Sequence, residues 1–356
     1  MSRLIRACSC CIALLLAACA STPLERHEFE ARAMGTLFRI VVFAPSSESA
    51  AAGATAAFER IEQLDAALSD YRQDSELSRV CAHSDLGAPT AWLAVSHDLF
   101  EVLAQSAVVA HASDGAFDVT AGPVIALWRR AKRQSEVPQD ERIATALQSV
   151  GWKLVELDRE QQRVRLLAPR MRIDLGGIAK GYAVDAALDV LAQHGLERAL
   201  VVGGGDVGAR RAPPHERGWH VELAPSGVSV TGDADPSAAI LLENGAVSSS
   251  GDAEQSVELS GVRYSHIVDP RNGRALTERR AAIVIARDST TADALATAMC
   301  VLGPELGIAL AQRTPGVEAR VVRETAHGFE SAATPGFERL ILPAPQRAAP
   351  ALNSTP

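Results

Sequence analysis

Three stretches of the chain carry side chains that could do chemistry. The first is residues 171–185, where Met171-Arg172-Ile173-Asp174-Leu175 predicts a short strand that runs through Gly176-Gly177 into a helix carrying Lys180. Glycines let backbone approach a ligand, a helix N-terminus presents free N–H groups and partial positive charge, and a lysine adds a cation. This pattern predicts a site for a phosphorylated ligand, although an ordinary strand-to-helix turn with a solvated lysine has the same pattern.

The second stretch is a predicted helix in residues 291–302. Asp293 and Thr297 lie four residues apart and therefore on one helical face. Hard oxygen ligands at that spacing suit Mg²⁺, which fills the rest of its shell with water and phosphate oxygens. The alternative is that Thr290 or Thr291 caps the helix and Asp293 complements the helix dipole.

The third stretch is residues 265–270, at a predicted strand end before an Asn-Gly turn. His266 lies there and could act as a general base. A surface histidine without a catalytic role is the alternative for any single histidine.

A glycine-rich stretch, residues 203–208, matches the dinucleotide-binding pattern G-x-G-x-x-G by letter. That pattern must open a helix, whereas residues 209–214 contain two arginines and two prolines and cannot continue as one. We therefore expect a tight glycine turn near a ligand, ended by Asp206, and no dinucleotide fold.

Apolar periodicity defines the remaining elements and alternates between helix and strand. Strands are predicted at residues 37–43, 154–157, 164–167, 199–202, 219–223, 246–249, 257–259 and 282–286, and helices at 50–68, 96–113, 179–193, 291–302 and 305–313. A helical turn is expected near residue 76, and a loop at 134–140. Composition and periodicity show only this alternation. We expect an α+β protein with mixed β-sheets and packed helices.

The first residues have the features of a secretory signal. Two arginines precede an apolar run too short to span a bilayer, and Leu16-Ala17-Ala18-Cys19 resembles the bacterial lipobox, in which the cysteine is lipidated. A plain signal peptide cut near Ala20 is the alternative. We predict a signal peptide at 1–18, a lipidated N-terminus and spacer at 19–33, one domain at 34–342 and a disordered Ala/Pro-rich tail at 343–356. The protein is then extracytoplasmic, anchored by lipid on the periplasmic side of a bacterial envelope.

Charge and cysteine content exclude several classes of function. The net charge is −8, and removal of the signal with its two arginines would make it more negative. A negative net charge argues against nucleic-acid binding. Of six cysteines only Cys81 and Cys300 would remain as thiols, so one disulfide is possible. No zinc-type spacing of Cys and His is present.

Together these motifs resemble the ApbE family of FAD:protein FMN transferases. The resemblance extends from about Met34 to the last predicted helix and rests on motifs in the family's order. These are Met34-Gly35-Thr36, Tyr71-Arg72 with residues 75–78, Ala116-Phe117-Asp118 with Gly122-Pro123, residues 174–185, residues 265–270 and residues 291–297. The family is described as related to the tunnelling fold.

The resemblance implies a set of site residues. FAD would contact Met34, Tyr71, Ala116, Phe117, Asp118, Asp174, Lys180 and Ile267. A Mg²⁺ ion would be held by Asp293, Thr297 and the main-chain oxygen of Gly177. The segment after Asp252 lacks an aromatic-rich stretch that many members have, which bears on the flavin or acceptor surface.

The resemblance also implies a reaction. A Thr or Ser hydroxyl of an acceptor protein would attack the FMN-side phosphorus of FAD and release AMP, with Lys180 and the 176–178 backbone supporting the phosphate oxygens. His266 is the candidate base and Asp293 its rival. Acceptors would be redox-complex subunits or small FMN-carrying domains. A Mg²⁺-dependent FAD pyrophosphatase and a non-enzymatic FAD-binding lipoprotein are the alternatives.

Overall fold

The computed structural model describes residues 23–223, 238–251 and 256–342. The predicted signal peptide, Cys19 and the tail at 343–356 lie outside the described residues, so lipidation and localisation stay predictions of the sequence.

The described chain alternates between strands and helices, as the periodicity predicted. The strands are β1 Glu25–Ala33, β2 Thr36–Ala44, β3 Leu93–Ala94, β4 Val155–Asp158, β5 Arg163–Leu166, β6 Ala199–Gly203, β7 Asp206–Ala209, β8 Trp219–Glu222, β9 Ala239–Leu242, β10 Gly245–Gly251, β11 Ser256–Leu259, β12 Val262–Ser265, β13 Val268–Asp269, β14 Arg274–Ala275, β15 Arg280–Ala286, β16 Glu318–Thr325 and β17 Gly328–Ala333. The helices are α1 Ser47–Leu68, α2 Glu76–Leu86, α3 His97–Ala112, α4 Gly122–Gln134, α5 Asp140–Leu147, α6 Ala179–Gln193, α7 Ser289–Leu302, α8 Pro304–Arg313 and α9 Pro335–Leu340. Within the described part of the chain, we find no helix both long and apolar enough to cross a membrane.

An eight-stranded sheet organises the fold, in the order β1-β2-β6-β7-β10-β15-β16-β17. Each neighbouring pair in it is antiparallel. The α+β class is therefore confirmed, and this sheet is antiparallel throughout. Short connections such as the Gly204-Gly205 turn between β6 and β7 contribute to this, because a two-residue hairpin can join only antiparallel strands.

The sheet separates two hydrophobic layers. On β2, Phe38, Ile40 and Val42 face the helical layer of α1, α6 and α7, and Val41 faces the opposite side. There the hairpin of β8 and β9, with Trp219, and helix α9 cover the sheet. The alternation follows from the two-residue side-chain period of a strand.

Helices α6 and α7 cross in close contact in the buried layer. A Cβ placed on Gly181 of α6 would lie 2.2 Å from the main-chain oxygen of Ser289, so only glycine permits this approach. Asp185 strengthens the crossing by accepting the N–H groups of Ser289 at 2.8 Å and Thr290 at 2.9 Å, at the start of α7. The contact brings Lys180 and Asp293 to one place.

A smaller hydrophobic cluster joins α4 and α5 to the strands β11 to β14. Val124, Trp128 and Ile143 form its centre, and Trp128 donates from Nε1 to the Gly273 oxygen at 2.8 Å. Neither α4 nor α5 was predicted, since the polar composition of residues 129–142 masks their short apolar stripes. The cluster fixes α4, which carries Arg129.

Two boundary predictions are wrong. Residues 25–33 of the expected spacer form β1, which pairs with β2 along its whole length. Residues 171–175 are not a strand. Their burial alternates as in a strand. However, the Ile173 N–H donates to Cys81 Sγ and the Asp174 N–H donates to the Val119 oxygen. This segment therefore pairs with a helix and a loop and not with a sheet.

Candidate active site

A buried cluster of one cation and two carboxylates lies where α6, α7 and β7 meet. Lys180 donates from Nζ to Asp206 Oδ2 at 2.8 Å and to Asp293 Oδ2 at 3.4 Å. The Gly181 N–H also donates to Asp293 Oδ2, at 3.1 Å, and Ser248 of β10 donates its hydroxyl to Asp206 Oδ1. Three elements distant in sequence therefore hold one ammonium group between two aspartates.

The charges of this cluster do not cancel. Burial and the charge of Asp206 raise the pKa of Asp293 to about 7, against the opposing effect of Lys180. Burial lowers the pKa of Lys180, but the carboxylates of Asp293 and Asp206 outweigh that effect and raise it above its usual value. Lys180 is therefore charged throughout the physiological pH range, and the cluster favours a further cation over an anion.

Asp293 is not the simple helix-dipole residue of the alternative interpretation. The N-cap of α7 is Asp288, whose side chain accepts the N–H of Thr291, and Thr290 is bonded to Asp185. Asp293 lies in the second turn and is 2% exposed. Both of its hydrogen bonds, from Lys180 and Gly181, fall on Oδ2, so Oδ1 can take a ligand without breaking them.

The three residues expected to hold a metal converge. A Cβ placed on Gly177 would lie 2.9 Å from Thr297 Oγ1, and Thr297 follows Asp293 by one turn of α7. Within residues 23–223, 238–251 and 256–342, no group of three His, Cys, Asp or Glu side chains could hold a metal. A metal here would depend on one carboxylate, a hydroxyl and main-chain oxygen, a donor set that fits Mg²⁺ with its water and phosphate oxygens.

The N-terminus of α6 offers less to an anion than the sequence suggested. The Gly176 N–H donates to Asp174 Oδ1 at 2.9 Å, and the Ile178 N–H donates to the Leu175 oxygen at 3.0 Å. The expectation that the 176–178 backbone supports phosphate oxygens is therefore wrong for these two amides, because both already have partners within the chain. A phosphate bound at this helix end would therefore depend more heavily on Lys180 than on these amides.

The segment 116–118 adjoins this cluster. Ala116 and Phe117 are buried, and Phe117 would lie 3.3 Å from a Cβ on Gly177. The Asp118 carboxylate accepts the N–H and hydroxyl of Thr120 and the N–H of Trp152, at 2.6 to 2.8 Å. It therefore braces the loop, and contact between residues 116–118 and FAD stays a prediction.

Two further expected FAD contacts lie on turns. Met34 and Gly35 form the turn between β1 and β2, and both have positive φ, 49° and 73°. Thr36, the next residue, and Lys180 both approach Gly204, so the Met34 turn lies beside the cluster. Ile267 is buried, and its N–H donates to Ser265 Oγ at 3.0 Å.

A second charged group lies on the other side of Gly176. Arg129 donates to Asp70 Oδ2 at 2.6 Å and to Asp174 Oδ2 at 2.7 Å, and its guanidinium lies 4.5 Å from the centre of the Tyr71 ring. Tyr71 is 77% exposed. Burial and the Asp70 carboxylate raise the pKa of Asp174 to about 6, against the effect of Arg129.

His266 is exposed and follows the last residue of β12. Ser265 pairs with Ser256, and Ser256 is five residues beyond the end of β10. Five residues of fully extended chain span about 18 Å, so Ser256 lies no farther than that from the end of β10. Ser250 near that end of β10 lies 3.3 Å from Thr297 through the two hydroxyl oxygens. Connectivity keeps the strand end that precedes His266 within this reach of the end of β10, and the role of His266 as a base stays a prediction.

The two cysteines expected to remain as thiols form no disulfide with each other. Cys81 and Cys300 are both buried. Cys81 Sγ accepts the Ile173 N–H at 3.3 Å, and Cys300 donates to the Ser250 oxygen at 3.1 Å. Both thiols therefore support segments that adjoin the site.

A groove of about 790 Å³ lies on the other side of α6, lined by Ile178, Tyr182 and Asp189 among others. Lys180 is not among its lining residues. Since side chains at positions 182 and 189 project away from position 180 on a helix, this groove is separate from the charged cluster.

The sequence left residues 248–252 open as either a pocket lining or a loop, and the structure places Ser248 against Asp206. Sequence reasoning missed Asp206 as a partner of Lys180, and it missed Arg129. A signal for Asp206 was present, because it ends a glycine turn that was expected near a ligand. Arg129 carried no such signal, because a basic helix end is common on surfaces.

Comparison with known proteins identifies what this arrangement is similar to. A sequence profile described as the ApbE family matches residues 34–321. The FAD:protein FMN transferase of Haemophilus influenzae is 30% identical over 338 residues, covering 92% of this chain and 95% of the relative. That of Treponema pallidum is 34% identical over 303 residues, covering 80% and 81%.

Solved structures of flavin transferases are also similar to this chain. The flavin transferase ApbE from Vibrio cholerae superimposes with a TM-score of 0.78 at 29% identity, covering 89% of this chain and all of that one. The apo form of the Pseudomonas stutzeri flavinyl transferase ApbE gives a TM-score of 0.77 at 30% identity, with 89% and 97% covered.

Proposed function

The chain belongs to the ApbE family, and from that premise we propose that it transfers the FMN moiety of FAD to a Thr or Ser hydroxyl of an acceptor protein, releases AMP and uses Mg²⁺. It is an enzyme of the flavin transferase class with FAD as its substrate.

One observation carries the Mg²⁺ part of the proposal. Lys180, Asp206 and Asp293 form a cluster with an excess of negative charge, Thr297 lies one helical turn after Asp293, and Gly177 lies against Thr297. A pyrophosphate brings further negative charge, which one lysine cannot balance. A Mg²⁺ ion bound by Asp293, Thr297 and the Gly177 oxygen would neutralise charge on the pyrophosphate.

The bond changes of the proposed reaction are those of a phosphoryl transfer. The acceptor hydroxyl oxygen forms a bond to the FMN-side phosphorus, and the bond from that phosphorus to the oxygen bridging toward AMP breaks. The bridging oxygen leaves with AMP. The hydroxyl proton passes to His266, since the hydrogen bonds that Asp293 accepts from Lys180 and Gly181 suit it better as a cation ligand than as a mobile base.

Lys180 is the residue of this chain best suited to hold phosphate oxygens. Its ammonium group is fixed by Asp206, so it is positioned before substrate arrives, and fixed charges lose little energy in reorganisation. Ser248 in turn holds Asp206. We propose that this chain of contacts orients Lys180 toward the bond that breaks.

Intact-protein mass spectrometry of a candidate acceptor tests the proposal. The acceptors we propose are subunits of redox complexes and small FMN-carrying domains with an exposed Thr or Ser. The enzyme is incubated with acceptor and FAD, with Mg²⁺ or with a chelator, and AMP is assayed in the same samples. We expect a Mg²⁺-dependent gain of one FMN phosphoryl unit and an equal amount of AMP.

Asp293→Asn is the decisive variant. Its rate of FMN transfer should fall roughly a thousandfold, whereas its affinity for FAD should change only a few fold, because the carboxylate acts on charge at the phosphorus. Asp288→Asn, on the same helix, is the matched control, since Asn caps as well as Asp and Asp288 lies outside the cluster. Free FMN with AMP and no modified acceptor would indicate a pyrophosphatase; normal turnover by Asp293→Asn would refute the metal assignment.

A further inference from the structure

Arg129 differs from the other cations at the end of α4. Arg130, Lys132 and Arg133 are exposed, whereas Arg129 is half-buried and turns toward Asp70 and Asp174. Arg130 bonds only its helical neighbour Gln134 in the contacts described. Of four adjacent basic residues, Arg129 therefore has partners on two other segments of the chain.

The guanidinium bridges two carboxylates from separate segments. Asp70 follows α1, and Asp174 precedes the Gly176-Gly177 pair; the donor nitrogens Nη1 and Nη2 lie 2.6 and 2.7 Å from them. Such bonds to charged acceptors are among the stronger contacts in proteins, and the planar fork of arginine sets their direction. The bridge holds the end of α1 against the segment that leads into α6.

Asp174 is fixed at both of its oxygens. Oδ2 accepts from Arg129, and Oδ1 accepts the Gly176 N–H at 2.9 Å. The main-chain N–H of Asp174 donates to the Val119 oxygen at 2.7 Å, directly after the 116–118 segment. Asp174 thus connects Arg129 with two other parts of the proposed FAD site.

The same guanidinium lies 4.5 Å from the centre of the Tyr71 ring. An exposed tyrosine on a loop has freedom to turn, and stacking by an arginine reduces that freedom. Because Tyr71 stays 77% exposed, most of its ring is available to a flat ligand.

We propose that Arg129 is a positioning residue for FAD, which orients the Tyr71 ring and the Asp174 carboxylate for contact with a ring system of the dinucleotide. This proposal rests on the proposed function, since the FAD contacts of Tyr71 and Asp174 come from it. Arg129 acts through these two side chains and not on the phosphates, so it governs FAD binding more than the transfer step.

Charge adds a second, separable effect. The groups that face Asp174 are Asp70 and Tyr71 from the loop after α1, Arg129 from α4 and the Gly176 N–H. Asp70 disfavours the ionised form of Asp174 and Arg129 favours it. Loss of Arg129 therefore raises the pKa of Asp174 further above 6 and leaves its carboxylate protonated near neutral pH.

The test measures FAD affinity of the full-length protein by flavin fluorescence across pH 5 to 9. Arg129→Gln should weaken FAD binding roughly tenfold to a hundredfold near pH 7, and the pH of half-maximal affinity should rise by about one unit. Arg129→Lys keeps the charge but loses the planar fork, so its pH midpoint should match the wild type while its affinity falls by a smaller factor. Arg130→Gln is the matched control and should match the wild type in both.

The turnover of FAD-saturated enzyme separates positioning from a general loss of structure. When FAD is varied up to saturation, the kcat of Arg129→Gln should lie within a few fold of the wild-type kcat, and its KM for FAD should be raised. If the wild type binds FAD and Arg129→Gln matches Arg130→Gln in affinity and pH midpoint, this proposal is refuted and the proposed function stands. If the wild type binds no FAD, both are refuted.

Discussion

Two charged clusters of this protein have the same composition, two aspartates and one cation, but different surroundings. In the first, Asp206 and Asp293 hold Lys180, and the exposed fractions of the three side chains are 1%, 3% and 28%. In the second, Asp70 and Asp174 hold Arg129 beside Tyr71, and the exposed fractions are 17%, 8% and 35%. The two cations are similarly exposed, but the carboxylates of the first, closed cluster are more deeply buried than those of the second, open cluster.

Solvent access explains the different tasks that the two clusters suit. In the closed cluster water cannot screen the extra negative charge, so a further cation or a proton must balance it, which is useful for a site that handles phosphates. In the open cluster water screens part of the negative charge, so the cation can orient side chains toward a ring of the ligand. Under the proposals made above, the same residue types would serve charge neutralisation in one place and positioning in the other.

The comparison is tested most strongly by removing each cation in turn. Lys180→Met should lower the free energy of unfolding by about 3–5 kcal/mol, because it leaves two buried carboxylates without the cation that balances their charge. Arg129→Met should cost only about 1 kcal/mol, since water can reach Asp70. Urea unfolding at pH 7 measures both. Adding Asp206→Asn to Lys180→Met should restore part of the loss; equal losses at the two clusters would contradict the distinction between them.

The next largest effect is a pH dependence at the open cluster. The pKa of Asp174 is about 6 in the folded chain and about 3.8 when unfolded, so the folded state binds more protons between these values. Stability from this group is present below pH 4 and lost as pH rises toward 6, by at most about 3 kcal/mol. Asp174→Asn should remove this fall from urea-unfolding curves at pH 4, 5, 6 and 7. An unchanged slope would show that Asp174 titrates normally.

Glycines beside each cluster give the smallest expected effect. Gly181→Ala should destabilise by about 1–3 kcal/mol, because its Cβ would meet the Ser289 main chain at 2.2 Å and α6 and α7 would have to separate. Gly176→Ala should cost less than about 1 kcal/mol, since its Cβ would meet only the Asp174 side chain, at 3.0 Å. Thermal unfolding of the pair decides this. A larger loss for Gly176→Ala would mean that the segment before α6 is the more tightly packed.

Local patterns predicted most of the elements that carry the site. The helical spacing of Asp293 and Thr297, the glycine turn before Asp206 and the helix after Gly177 all depend on residues close in sequence, and the structure contains each of them. Residues 171–175 show the limit of such patterns. Alternating burial indicates an extended segment, but its hydrogen-bond partners are on α2 and near Val119, which periodicity cannot identify.

The sequence by itself predicted the α+β class and the helices α6 and α7, which the structure contains, and it named the side chains proposed for phosphate and a divalent cation. Only the tertiary structure decided that Asp206 and Ser248 join Lys180, that Asp118 braces a loop, and that Arg129 connects Tyr71 with Asp174. The physical reason is distance along the chain: Arg129 and Asp174 are 45 residues apart, and Lys180 and Asp293 are 113 apart. Contacts of that kind depend on how helices and sheet pack, which no short window of sequence contains.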